Sequence, residues 1–217
     1  MSQSIQREFE SFVQERTFPC VGAKSALNER GMHFVEGGDL REAIADTAIL
    51  AALHAFKVAD PQRGRFESLV VLFPKTPVLP EAEFEAGLWQ RLNALHAMDV
   101  KLFPWDATAS DDPLCANFGM SFGGLAFFVV GMHPGASRAA RRSPRAALAF
   151  NPHRQFDTLR AEGMFDRVKT VVRQRDVALQ GSPNPMLADR GERSEAAQYS
   201  GRQVSGDWRC PFKRVTA

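Results

Sequence analysis

The sequence predicts an α+β fold: a single domain with one mostly antiparallel sheet of about four strands and helices packed on it. Three observations predict it. Short apolar runs rich in β-branched and aromatic residues, Phe66–Phe73 and Leu125–Val130 above all, end at Pro or Gly. Longer stretches such as Ile5–Arg16 and Pro80–Met98 repeat apolar residues at helical spacing. The two kinds of segment are mixed along the chain and do not alternate.

In order, the first helix is expected at Ile5–Arg16, with Ile5, Phe9, Phe12 and Val13 on one face. Phe18-Pro19-Cys20 breaks it. Met32–Val35 reads as a short strand, and Asp39 with Glu42 as a capping box opening a helix to about Lys57. Asp60-Pro61 and Arg63-Gly64 mark a loop. Phe66–Phe73 is a strand and Pro80–Met98 a helix with Pro80 at its start. Ala107–Asn117 is a loop. Leu125–Val130 and Ala146–Phe150 are strands, and Pro152–Glu162 and Met164–Val177 are helices. After Leu179 aliphatics thin out and turn residues multiply. Met186, Leu187, Tyr199, Trp208 and Phe212 nevertheless suit an ordered wrap. The domain therefore reads as a body, 1–179, with an irregular segment, 180–217, packed on it.

The 217 residues are 44% hydrophobic, enough for a real core, and the net charge of +2 carries no field that calls for nucleic acid. The basic cluster near residue 140 is short and lacks interleaved aromatics, which also argues against a nucleic-acid role. No apolar run approaches a membrane span, and the first residues contain no apolar signal core. With three cysteines, the expectation is a reducing cytoplasm without a disulfide framework. Seventeen Phe against one Tyr suit a dry core or pocket.

The chemistry concentrates between Met120 and Arg160. His133 follows a very apolar strand at Pro134-Gly135, and Arg138, Arg141 and Arg142 come next without a local acid. An imidazole beside an apolar wall, with guanidiniums at the rim, suits a haem: the iron takes the ring and the carboxylates take the arginines. A phosphorylated ligand would use the same arginines. His153 opens the next helix as a second ligand or a donor to bound oxygen. Cys20 sits near Lys24, whose charge favours a thiolate, and Cys210 precedes Pro211 as in some haem thiolate sites. No phosphate-binding loop, dinucleotide fingerprint or paired Cys-x-x-Cys is present.

Several motifs together resemble the YqcI/YcgG family over nearly the whole chain. They are Phe18-Pro19-Cys20 with Gly22-Ala23-Lys24, Phe127 to Pro134, Ser137-Arg138 through Arg141-Arg142, and Phe150 to Phe156. Arg173 to Asp176, Gln198 to Gly201 and Trp208 to Phe212 complete the set. Characterised relatives are haem-dependent N-hydroxylases of guanidine nitrogens. The resemblance therefore implies haem b and N-oxygenation of a guanidine- or amine-bearing small molecule, with electrons from an external donor. His133 is the first choice of iron ligand, Cys20 and Cys210 are the alternatives, and Arg138, Arg141 and Arg142 hold the carboxylates. Two other classes stay open: a haem carrier or sensor without turnover, and a metal-free module for anionic small molecules. The residues do not decide between a monomer and a homodimer.

Overall fold

The computed structural model describes residues 3–56, 64–189 and 191–215. Its centre is a five-stranded sheet in the order β1-β2-β5-β4-β3. The strands are β1 (Met32–Glu36), β2 (Ser68–Phe73), β3 (Met120–Phe122), β4 (Leu125–Met132) and β5 (Ala146–Pro152). β1 and β2 run parallel, and the three remaining pairings are antiparallel. The helices are α1 (Gln3–Gln14), α2 (Val21–Asn28), α3 (Asp46–Ala55), α4 (Glu81–Asp99), α5 (His153–Ala161), α6 (Phe165–Gln180) and the single turn α7 (Ala196–Tyr199). The fold is α+β, as the mixed order of segments implies.

Strand alternation divides the core in two. Leu69, Val71 and Phe73 of β2 join Leu148 and Phe150 of β5 in the larger cluster, with Leu50 and Leu53 of α3 and Phe84, Leu88 and Leu92 of α4. Val70, Leu72, Ala147 and Ala149 point the other way, toward Phe9, Phe12 and Val13 of α1. Both faces of β2 are therefore buried, which is why its sequence reads as one continuous apolar run.

Several expectations are corrected. The Phe18-Pro19-Cys20 break is followed at once by α2, with Cys20 as its N-cap. The Asp39 capping box does not form, because the Asp39 carboxylate binds Arg41 and accepts from Thr76. The helix starts only at Asp46, whose carboxylate meets the buried Arg91 of α4 at 2.5 Å. The expected loop at Asp60-Pro61 and Arg63, and the helix end near Lys57, lie outside the described residues. β3 was hidden by the glycines after it. Gly123 and Gly124 have φ of 62° and 75° and make a two-residue hairpin turn, with Phe122 paired to Leu125. The Asp99 carboxylate accepts from the Gly123 amide and meets His54 Nε2 at 2.6 Å, so it ties the turn to α3 and α4. β4 does not stop at Gly131 but runs to Met132. A side chain at Gly131 would come within 2.9 Å of the Tyr199 carbonyl and of Phe84.

The segment after residue 180 contributes to the core. Tyr199 is completely buried, and Met186, Ala196 and Phe212 are buried with it. Arg202 and Ser200 bind the Glu85 carboxylate of α4, which latches the segment down. No described helix is long and apolar enough to cross a membrane.

Candidate active-site cleft

β5 runs directly into α5 because Pro152, with φ −57°, pairs with Phe127 of β4 and then serves as the N-cap. This junction carries His153 under the sheet, where it is 3% exposed. His153 Nε2 lies 3.1 Å from Glu195 Oε1, and the same oxygen accepts from the Tyr199 hydroxyl at 2.5 Å. Tyr199 in turn accepts from the Met120 amide at 3.1 Å. His153 Nδ1 is buried and makes no hydrogen bond among the described residues. Gly119 packs on the ring edge, where an added Cβ would sit 2.4 Å from His153 Cε1. Gly119→Ala is accordingly expected to displace the imidazole and cost about 1–3 kcal/mol. Urea unfolding against the wild type measures it.

His153 lines one end of a cleft with Phe128, Phe156 and Phe165. The cleft continues between α2, β4, α5 and α6, where Val130, Phe128, Phe156, Val168 and Val172 make apolar walls. This larger part has a cavity volume of about 270 Å³, at the lower end of the roughly 300–1,000 Å³ of small-molecule sites. The cleft exists because α6 does not close on the sheet: Asp176 is its one buried residue among those described. Lys169, Arg173 and Asp189 stand at the lip, both cations paired to Asp189 at 2.7 and 2.9 Å.

Cys20 is on the cleft wall. As N-cap of α2 its sulfur accepts from the Ala23 amide at 3.4 Å. Burial pushes the thiol above its ordinary value, while the Ala23 and Gly22 amides and the Arg141 charge oppose that rise. A thiolate here would thus be met by a helix N-terminus and a guanidinium.

The YqcI/YcgG family model matches residues 9–213, nearly the whole chain. The chain belongs to the YqcI/YcgG family. A relative from Bacillus subtilis (strain 168), named uncharacterized protein YcgG, is 30% identical over 209 residues, 90% of this chain and 81% of its own length. No solved structure matches.

Within this YqcI/YcgG fold the residues singled out from the sequence separate. Cys20 and His153 come to the cleft. His133 does not line it. Its ring stacks on Phe84 at 4.1 Å and 16°, 1% exposed, and neither nitrogen makes a hydrogen bond among the described residues. Burial pushes its pKa down, against the Glu81 charge and the Leu79 carbonyl. Arg138 and Arg141 face inward instead of forming an open rim, and Arg142 is exposed. Arg138 pairs with Asp176 at 2.5 Å, so an acid absent from the local sequence is supplied by α6. Arg141 donates to the carbonyls of Gly131, Tyr199 and Gln198, and burial lowers it to about 10. Arg142 donates to the carbonyls of Ala136 and Ser137. Cys210 lines a different groove beside Trp208. Burial pushes its thiol up to about 12, the Phe212 amide opposing and the Glu85 charge adding to the rise.

Sequence reasoning missed Glu195, Lys169 and Asp189. Glu195 lies among turn residues with no periodic signal, four positions before the Tyr199 that it binds. Arg173 and Asp176 were in view as part of one motif, and the structure gives the first to the cleft lip and the second to Arg138.

Proposed function

We propose that the cleft holds haem b, with Cys20 Sγ as the side chain that would bind its iron, and that the protein N-hydroxylates an amine- or guanidine-bearing small molecule. The observation that carries the haem reading is Cys20, at a helix N-terminus, on the wall of an apolar cleft. Among the described residues no three His, Cys, Asp or Glu side chains gather to hold a metal ion alone. A haem asks for less, since the macrocycle brings its own donors and the protein adds an axial side chain. The flat apolar walls of Phe128, Val130 and Val172 suit such a ring. Lys169 and Arg173 at the lip are the cations that would meet its carboxylates, beside or in place of Asp189. The N-hydroxylase part comes from the family resemblance.

When bound, a thiolate-ligated haem supplies O–O bond cleavage. Overall an N–H becomes N–OH, one oxygen atom of O₂ enters the product and the other leaves as water. The two electrons and two protons come from outside. The chain's own part is to hold the thiolate with the Ala23 and Gly22 amides, to balance it with Arg141, and to line the space with Phe side chains that exclude water.

Ligation must remove the thiol proton, because the thiolate is the ligand. Burial raises the Cys20 thiol in the metal-free protein, so ligation is linked to proton release. Haem affinity is therefore expected to rise with pH below the thiol pKa, by up to about tenfold per pH unit. Haem titrations in a series of buffers check this, and a flat profile would contradict thiolate ligation.

The function itself is tested by turnover. Haem-loaded protein with O₂ and a chemical or enzymatic reductant should add one oxygen atom to a nitrogen of a guanidine or amine panel member, read by mass spectrometry. Haem binding without reductant- and oxygen-dependent product would mark a carrier or sensor. Protein that stays colourless after haem supplementation would mark a metal-free module.

A further inference from the structure

The cleft's second end contains a polar chain that haem binding does not use. We infer that His153 is held as the Nε2–H tautomer, with Nδ1 left as a proton acceptor for a ligand in the cleft, and that Glu195 and Tyr199 are positioning residues that set it. The direction of the chain follows from donor counting. The Met120 amide can only donate, and it points at the Tyr199 oxygen at 3.1 Å. Tyr199 therefore receives that bond and directs its single proton elsewhere. The nearest acceptor is Glu195 Oε1 at 2.5 Å, well inside the 3.4 Å to the Phe127 carbonyl.

Burial first, and the Glu195 charge second, raise the Tyr199 hydroxyl well above the phenol range, so it remains a donor. Glu195 is then an acceptor toward Tyr199, and the same oxygen faces His153 Nε2 at 3.1 Å. The proton between them belongs on Nε2. Neutral imidazole has one N–H, so Nδ1 keeps its lone pair.

That lone pair is buried, without a hydrogen bond among the described residues, on a side chain that lines the cleft. A buried acceptor without a partner is destabilising. A ligand bearing an N–H or O–H would satisfy it. A proton taken at Nδ1 makes an imidazolium with the Glu195 carboxylate already in place as counter-charge. This suits a reaction that must take a proton from a nitrogen or pass one inward. The inference rests on the cleft being the reactive site, but the tautomer does not depend on haem.

The test is nitrogen-15 NMR of the histidine rings in the ligand-free full chain, with His153 assigned by His153→Gln. The expected spectrum shows His153 protonated at Nε2 only. Glu195→Gln keeps an acceptor oxygen and should retain that tautomer, while Glu195→Leu removes the acceptor and should lose it. A wild-type ring protonated at Nδ1 would overturn the inference. In the haem-loaded enzyme, His153→Gln should lower turnover about a hundredfold with an unchanged absorption spectrum, and an unchanged rate would overturn the proton role. Failure to bind haem at all would bring down the haem reading, and the ligand-free NMR spectrum would then decide this one.

Discussion

Arg138→Ala is expected to destabilise the protein by about 3–5 kcal/mol, the usual result of removing one partner from a buried ion pair. Arg138 and Asp176 are each about 10% exposed at the side chain and 2.5 Å apart. The same guanidinium donates to the Ser182 carbonyl, just beyond the end of α6. Truncation would leave Asp176 as an uncompensated buried charge and release the C-terminal end of α6. For a chain of this size the midpoint should fall by about 6–20 °C, read by circular dichroism. Replacing Arg138 and Asp176 together by apolar residues of similar volume should restore much of the loss, because no lone charge then remains. A stable Arg138→Ala protein with selectively weakened haem binding would instead make Arg138 a ligand-binding residue.

Cys20→Ala has the largest expected effect on function. The sulfur on the cleft wall is the iron donor in this account. Haem affinity should fall by at least about tenfold, or about 1.4 kcal/mol, and N-oxygenation should be lost. The fold should survive, since Ala keeps the small volume of Cys20 and the hydrogen bond lost, from the Ala23 amide, is long at 3.4 Å. Cys210→Ala should leave haem binding unchanged. Its thiol lines another groove, and burial, reinforced by the Glu85 charge, holds it protonated.

Much of the fold was legible in the chain because the signals are local. The apolar run of β2 and the Phe84, Leu88 and Leu92 spacing of α4 need no partner to be read. β3 was not legible: its three residues precede two glycines, and only pairing with β4 makes them a strand. Asp39 shows the opposite failure. Its local capping signal is real, but Arg41 and Thr76 take the carboxylate. For the site, chain order drew His133 and the three arginines together as neighbours. The tertiary fold keeps His133, Arg138 and Arg142 out of the cleft lining and leaves Arg141 close enough to act on Cys20. Phe84 covers the imidazole, and α6 and the backbone carbonyls take the guanidiniums. Partners that lie 38 residues away, as Asp176 does from Arg138, or 42 away, as Glu195 does from His153, leave no trace in local spacing. The cleft itself is a gap between α6 and the sheet, and a gap has no sequence pattern.

The most direct test of the haem-thiolate account is the ferrous–CO absorption spectrum of haem-loaded protein, taken on the wild type and on Cys20→Ala. A thiolate opposite CO gives a strongly red-shifted Soret band, and an imidazole does not. The red-shifted band is expected in the wild type and in His133→Ala, and is lost in Cys20→Ala. An unshifted wild-type band that changes only in His133→Ala would contradict thiolate ligation and put the iron on the imidazole beside Phe84.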